Sequence, residues 1–90
     1  MGTRRDLLIL NKRGLHARAS AKFVQVVEQF DAAISVSKDG LTVGGTSIMG
    51  LMMLAASPGC TIAVDAIGND AAAALDALEK LVAERFGEDE

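Results

Sequence analysis

The stretch Asn11-Lys12-Arg13-Gly14-Leu15-His16-Ala17-Arg18-Ala19-Ser20 carries the chain's only histidine, with Lys12 and Arg13 before it and Arg18 after it. A histidine at the head of a helix faces N–H groups without intrahelical partners and the positive end of the helix dipole. With Arg18 beside it, both features disfavour an imidazolium, so His16 is expected as a neutral imidazole, which is a nucleophile. An anion attached to that ring would lie against the backbone N–H groups of Ala17 and Arg18 and the Arg18 guanidinium, and a phosphoryl group matches such donors. Residue type alone leaves a capping or solvated surface histidine as the more common role. Metal chemistry lacks ligands, because there is no second histidine and Cys60 is the only cysteine. Nothing in the sequence places a hydroxyl and an acid beside the ring as a hydrolytic triad would require.

The elements around this stretch follow from periodicity. Asp6 to Leu10 reads as a strand, ended by Lys12-Arg13-Gly14. A helix starts at His16 and runs toward Phe30, with Phe23, Val27 and Phe30 on one face and Ala19 and Val26 beside it. Ile34 and Val36, then Leu41 and Val43, alternate with polar residues across Asp39-Gly40, which predicts a hairpin. Thr46 or Ser47 caps a short helix to about Ala55, and Ser57-Pro58-Gly59 turns the chain into a strand from Cys60 to Ala66. Asn69 or Asp70 caps a last helix whose stripe is Ala71, Ala74, Leu75, Leu78, Leu81, Val82 and Phe86, with Gly87 as its stop. Asp76 and Lys80, and Lys80 and Glu84, read as solvated contacts one helical turn apart. The order βαββαβα predicts an α+β open-faced β-sandwich, a four-stranded antiparallel sheet with three helices on one face.

Composition limits the function. Ninety residues suit a single domain over 1–90 with one modest core, and that core must be aliphatic because Trp and Tyr are absent and Phe occurs three times. A net charge of -3, with Glu88-Asp89-Glu90 at the end, gives no general attraction to nucleic acid or to an anionic membrane. The apolar run Leu7-Leu8-Ile9-Leu10 is too short for a signal-peptide core or a membrane span, and one cysteine forms no internal disulfide, so a cytoplasmic protein is expected. No second large apolar face appears in the sequence, so a monomer is expected. Cys60 itself reads as a small apolar residue at a strand start. Gly44-Gly45 reads as a strand-to-helix turn, since it lacks the lysine and spacing of a nucleotide loop.

Gly14-Leu15-His16-Ala17-Arg18 resembles the phosphorylation motif of the histidine-containing phosphocarrier (HPr) proteins of the bacterial phosphoenolpyruvate-dependent phosphotransferase system. Ser47-Ile48-Met49-Gly50-Leu51-Met52-Met53-Leu54 is similar to the family's second signature, and the resemblance covers almost the whole chain. It implies that His16 accepts a phosphoryl group on Nδ1 from phosphorylated enzyme I and donates it to EIIA proteins or domains. Arg18 then orients or neutralises the phosphate, and no metal or cofactor is needed. The protein would be a phosphohistidine intermediate serving sugar uptake or the nitrogen-related regulatory branch, and not an enzyme that turns over a small molecule. One departure stands out: Ala19 occupies the place where the family usually has proline, which restores an N–H and frees φ in the first helical turn.

The segment Ile48 to Ala56 is apolar nearly all round. With Leu51, Leu54 and Ala55 facing the core, Ile48, Met49 and Met52 point outward and, with Leu15 and Ala17, are expected to form a partner-binding face. The plainer reading is a deeper helix covered by a loop. Ser47 is a helix cap, and in some members of the family the matching serine is phosphorylated by an HPr kinase/phosphorylase, which adds charge to the partner face. A competing class of function is a small interaction or ligand-sensing domain that uses the apolar patch and never phosphorylates His16.

Overall fold

The computed structural model describes residues 2–90. Its elements are β1 (Gly2–Leu8), α1 (Ala17–Val27), β2 (Ala33–Lys38), β3 (Leu41–Gly44), α2 (Ile48–Met53), β4 (Thr61–Ile67) and α3 (Ala71–Ala83), followed by a 3-10 turn at Arg85–Gly87. The four strands pair antiparallel in the order β1-β4-β2-β3, so the expected α+β architecture and βαββαβα order are present.

Alternation decides which face of the sheet is covered. Leu7, Ile34, Val36, Ile62, Val64 and Ala66 are buried, while the neighbours Arg4 and Asp6 are exposed and Ser35 and Asp65 only half-buried on the open face. Leu7 stands opposite Ile62 and Val36 opposite Val64, which brings the apolar side chains of three strands together. Against them lie Phe23 and Val27 of α1, Leu51 and Leu54 at α2, and Leu75 and Leu78 of α3. The Asp39-Gly40 connection has φ of 51° and 84°, the pair of positive values that a two-residue hairpin turn requires.

Several boundaries differ from expectation for identifiable reasons. β1 begins at Gly2 and not at Asp6, because Thr3, Arg4 and Arg5 pair with Ala66, Asp65 and Val64. Polar side chains hid these residues: Arg4 sits on the open face, and Arg5 reaches α3, where Nη1 donates to Asp76 Oδ1 at 2.7 Å and Glu79 Oε1 at 2.8 Å. Asp76 is thus spent on Arg5, and neither it nor Glu84 pairs with Lys80 among the described residues. α1 ends at Val27, where Gln29 N–H and Phe30 N–H turn back to Val26 O and Val27 O in a tightened last turn. α2 stops at Met53, and Ala55 is exposed with φ of 51°; the core position expected of it belongs to Ala56. Asp70 precedes α3 but caps no amide of that helix; its Oδ2 accepts the Asp31 N–H at 2.7 Å, tying α3 to the loop after α1. Phe86 lies beyond α3 and is fully buried with φ of 55°.

Candidate functional site

The loop that delivers His16 is fixed from both sides. Asn11 is fully buried, and its Nδ2 donates to the Gly14 carbonyl at 2.8 Å and to Glu88 Oε1 at 3.0 Å. Gly14 has φ of 63°, and a Cβ there would come within 2.0 Å of the Ala56 carbonyl oxygen, so only glycine fits. The next amide, Leu15 N–H, donates to that same Ala56 oxygen at 3.0 Å. The buried Ser20 hydroxyl then donates to Leu15 O at 3.1 Å. These bonds join the start of α1 to the segment after α2.

Leu15 therefore does not belong to a partner-binding surface. It is 4 % exposed and packs into the core, because the loop must bury one apolar anchor to hold the following residue in place. His16 is the N-cap of α1, in extended conformation, and the helix proper begins one residue later than the sequence implies. Its Nδ1 accepts the Arg18 backbone N–H at 3.3 Å. Its Nε2 meets Glu88 Oε2, a carboxylate that can only accept when ionised. Together the two contacts assign the tautomer: the proton is on Nε2, which donates to Glu88, and Nδ1 keeps its lone pair.

Glu88 was the residue that sequence reasoning missed. Burial pushes its carboxyl up, but the hydrogen bonds from His16 and Asn11, helped by the nearby Arg13 charge, outweigh that penalty and hold it below the usual carboxylate range. The acidic cluster Glu88-Asp89-Glu90 was legible as composition, but no periodicity in the chain announces that it folds back onto His16. The same rim holds Lys12, Arg13 and Arg18 with Glu88, Asp89 and Glu90, so three cations face three carboxylates around a shallow depression. Arg18 is exposed at this rim, and Ala17 is exposed beside it at the start of α1.

Ser47 is exposed and caps α2, its Oγ accepting the Gly50 N–H at 2.9 Å. Gly50 is held close, since a Cβ there would lie 2.9 Å from both Ser47 Oγ and Val43 Cβ. From this short helix, packed on α1, Ile48, Met49 and Met52 turn outward as expected, and Met53 joins them at 68 % exposed.

A family match described as "PTS HPr component phosphorylation site" spans residues 3–84, and so takes in the His16 loop, α2 and α3. The chain belongs to the HPr family. It is a phosphocarrier of the phosphotransferase system. It is similar to the phosphocarrier protein HPr of Cupriavidus necator, 50% identical over 86 residues that cover 96% of this chain and 97% of that one. Among solved structures it is similar to an HPr, "HPr-C-His", of Thermoanaerobacter tengcongensis, with a TM-score of 0.92 and 41% identity over 98% of this chain and 99% of the other. A structure described as an HPr dimer from the same organism matches with a TM-score of 0.76 and 44% identity, covering 91% of this chain and 94% of that one. No helix among the described residues of this HPr-family chain is long and apolar enough to cross a membrane.

Proposed function

We propose that His16 Nδ1 accepts a phosphoryl group from phosphorylated enzyme I and passes it to EIIA proteins of the phosphotransferase system. The observation that carries this reading is the position of the Nδ1 lone pair, set against the Arg18 amide at the N-terminus of α1. As Nδ1 forms its new P–N bond, the donor's bond to phosphorus breaks and its electron pair leaves with the donor; the onward step reverses this with His16 as the donor. On phosphorylation Nδ1 gives up its bond to the Arg18 N–H. That amide, the Ala17 amide and the Arg18 guanidinium then meet the phosphoryl oxygens, which suits a transfer whose catalysis is mostly positioning and charge stabilisation.

Partners dock on the outward face of α2, through Ile48, Met49 and Met52, together with the exposed Ala17; methionine suits a face that must fit more than one partner. Ser47, at the edge of that face, is the regulatory residue: phosphorylation by an HPr kinase/phosphorylase would put negative charge among these side chains and weaken docking. The protein acts as a single cytoplasmic domain over residues 1–90 and as a monomer, without a bound cofactor.

The test is incubation with phosphoenolpyruvate and enzyme I, followed by mass spectrometry. A single acid-labile phosphate that His16→Ala abolishes is the expected result. A wild-type protein that gains none from a competent enzyme I overturns the reading in favour of a non-phosphorylated interaction domain.

A further inference from the structure

The end of the chain is strapped across the His16 ring. Arg85, Phe86 and Gly87 have φ of 56°, 55° and 78°, which turns the chain back from the end of α3 toward the N-terminus of α1. Two of these are L-residues in a conformation that costs free energy, so the strap persists only because its surroundings hold it. Phe86 is fully buried, and Lys22 Nζ of α1 donates to its carbonyl at 2.6 Å. Asn11 Nδ2 donates to Glu88 Oε1, and beyond it Lys12 N–H donates to the Glu90 carbonyl at 3.0 Å. These ties deliver one carboxylate oxygen, Glu88 Oε2, to His16 Nε2, on the side of the ring away from Nδ1.

We propose that Glu88 is a positioning residue for phosphoryl transfer, holding the Nε2 proton on the ring while Nδ1 carries the phosphoryl group. The proposal rests on the phosphocarrier reading above. When neutral His16 attacks, Nδ1 gives its electron pair to phosphorus and the ring becomes cationic with its Nε2 proton kept. A carboxylate on Nε2 stabilises that cation without taking the proton, as the acid of a catalytic triad does for its histidine. When the Nδ1–P bond breaks, the electron pair returns to Nδ1 and the ring leaves as neutral imidazole. A phospho-ring stripped of its Nε2 proton would have to leave as imidazolate, a far poorer leaving group. Glu88 thus keeps the phospho-form in its transferable state to higher pH.

The other charges that face this pair are known. Arg13 acts on Glu88 through its charge, Lys12, Arg18 and Asp89 line the same depression, and Glu90 is engaged by Lys12 Nζ at 3.6 Å. Asn11, the remaining direct partner of Glu88, does not titrate. Glu88 is the acid in contact with the ring.

The experiment compares wild type, Glu88→Gln and Glu88→Asp. Each is charged with phosphoenolpyruvate and enzyme I, and discharge of the phosphohistidine to an EIIA domain is followed from pH 5 to 10 alongside thermal unfolding. Removing an adjacent opposite charge moves a titration by about one unit, so Glu88→Gln should lose transfer about one pH unit lower than wild type and be about tenfold slower on the alkaline limb. Glu88→Asp should recover part of the shift. A purely structural role would lower the unfolding temperature and leave the pH profile in place. Superimposable wild-type and Glu88→Gln profiles overturn the proposal. A wild type that never becomes phosphorylated overturns the carrier reading itself, and this inference with it.

Discussion

The His16 Nδ1 atom lies 3.3 Å from the Arg18 backbone nitrogen and accepts its N–H, so the nitrogen read as the phosphoryl acceptor is also the cap of the helix that would bind the phosphate. The free ring and the incoming group thus compete for the same amide. On the proposed reading, phosphorylation would replace a long, neutral hydrogen bond with a charge-assisted one at a helix N-terminus.

That loop sets the first prediction. Gly14→Ala must relieve both a positive φ and a Cβ that would sit 2.0 Å from Ala56 O. The expected cost is about 3 kcal/mol, with transfer from enzyme I reduced because the displaced loop no longer presents His16. Denaturant unfolding measures the first and a phosphorylation time course the second. Wild-type values for both would show that the approach to Ala56 is not binding on the loop.

Asn11→Ala removes a side chain that bonds both the Gly14 carbonyl and Glu88. With Gly14 O left unpartnered in a buried loop, the expected loss is about 2 kcal/mol, read as a lower denaturation midpoint with an unchanged denaturant slope.

Much of the architecture around these residues was legible in the sequence. Alternation at Ile34, Val36, Leu41 and Val43 located the hairpin, the Phe23 and Val27 spacing located α1, and Ile48, Met49 and Met52 did turn outward. Misreadings fell where local pattern and tertiary demand part. Leu15 stood in a polar, functional-looking stretch, yet the loop uses it as its core anchor. Arg4 and Arg5 hid the start of β1, because one lies on the open face and the other is neutralised by Asp76 and Glu79. Glu88 could not be found by periodicity at all. It lies 72 positions from His16 and is turned back toward it by the consecutive left-handed residues Arg85, Phe86 and Gly87, a contact made by tertiary structure and not by local pattern.

Glu88 also makes stability depend on pH, in a direction its environment fixes. Its carboxyl titrates below the usual range in the folded state, so its contribution is present above the unfolded value of about 4.3 and is lost as the pH falls through the depressed folded value. The gap in unfolding temperature between wild type and Glu88→Gln should be full at pH 7 and close on acidification below about pH 4. Circular dichroism melts at a series of pH values decide it, and a gap of constant size down to pH 3 would contradict the assignment.

Ser47 is open to a two-part substitution. Ser47→Ala loses the cap on the Gly50 N–H and should cost about 1 kcal/mol, while leaving phosphorylation by enzyme I close to wild type. Ser47→Asp can keep that cap and so should keep stability, yet slow the phosphorylation by enzyme I through the charge it adds to the docking face. Unfolding curves and transfer rates on the same two proteins separate the structural role from the regulatory one.

The central claim concerns one atom, and NMR of the phosphorylated protein addresses it directly. Correlation of the phosphorus resonance with the ¹⁵N-labelled His16 ring should place the phosphoryl group on Nδ1, with Nε2 still carrying its proton. A phosphoryl group found on Nε2, where Glu88 now sits, would contradict the account.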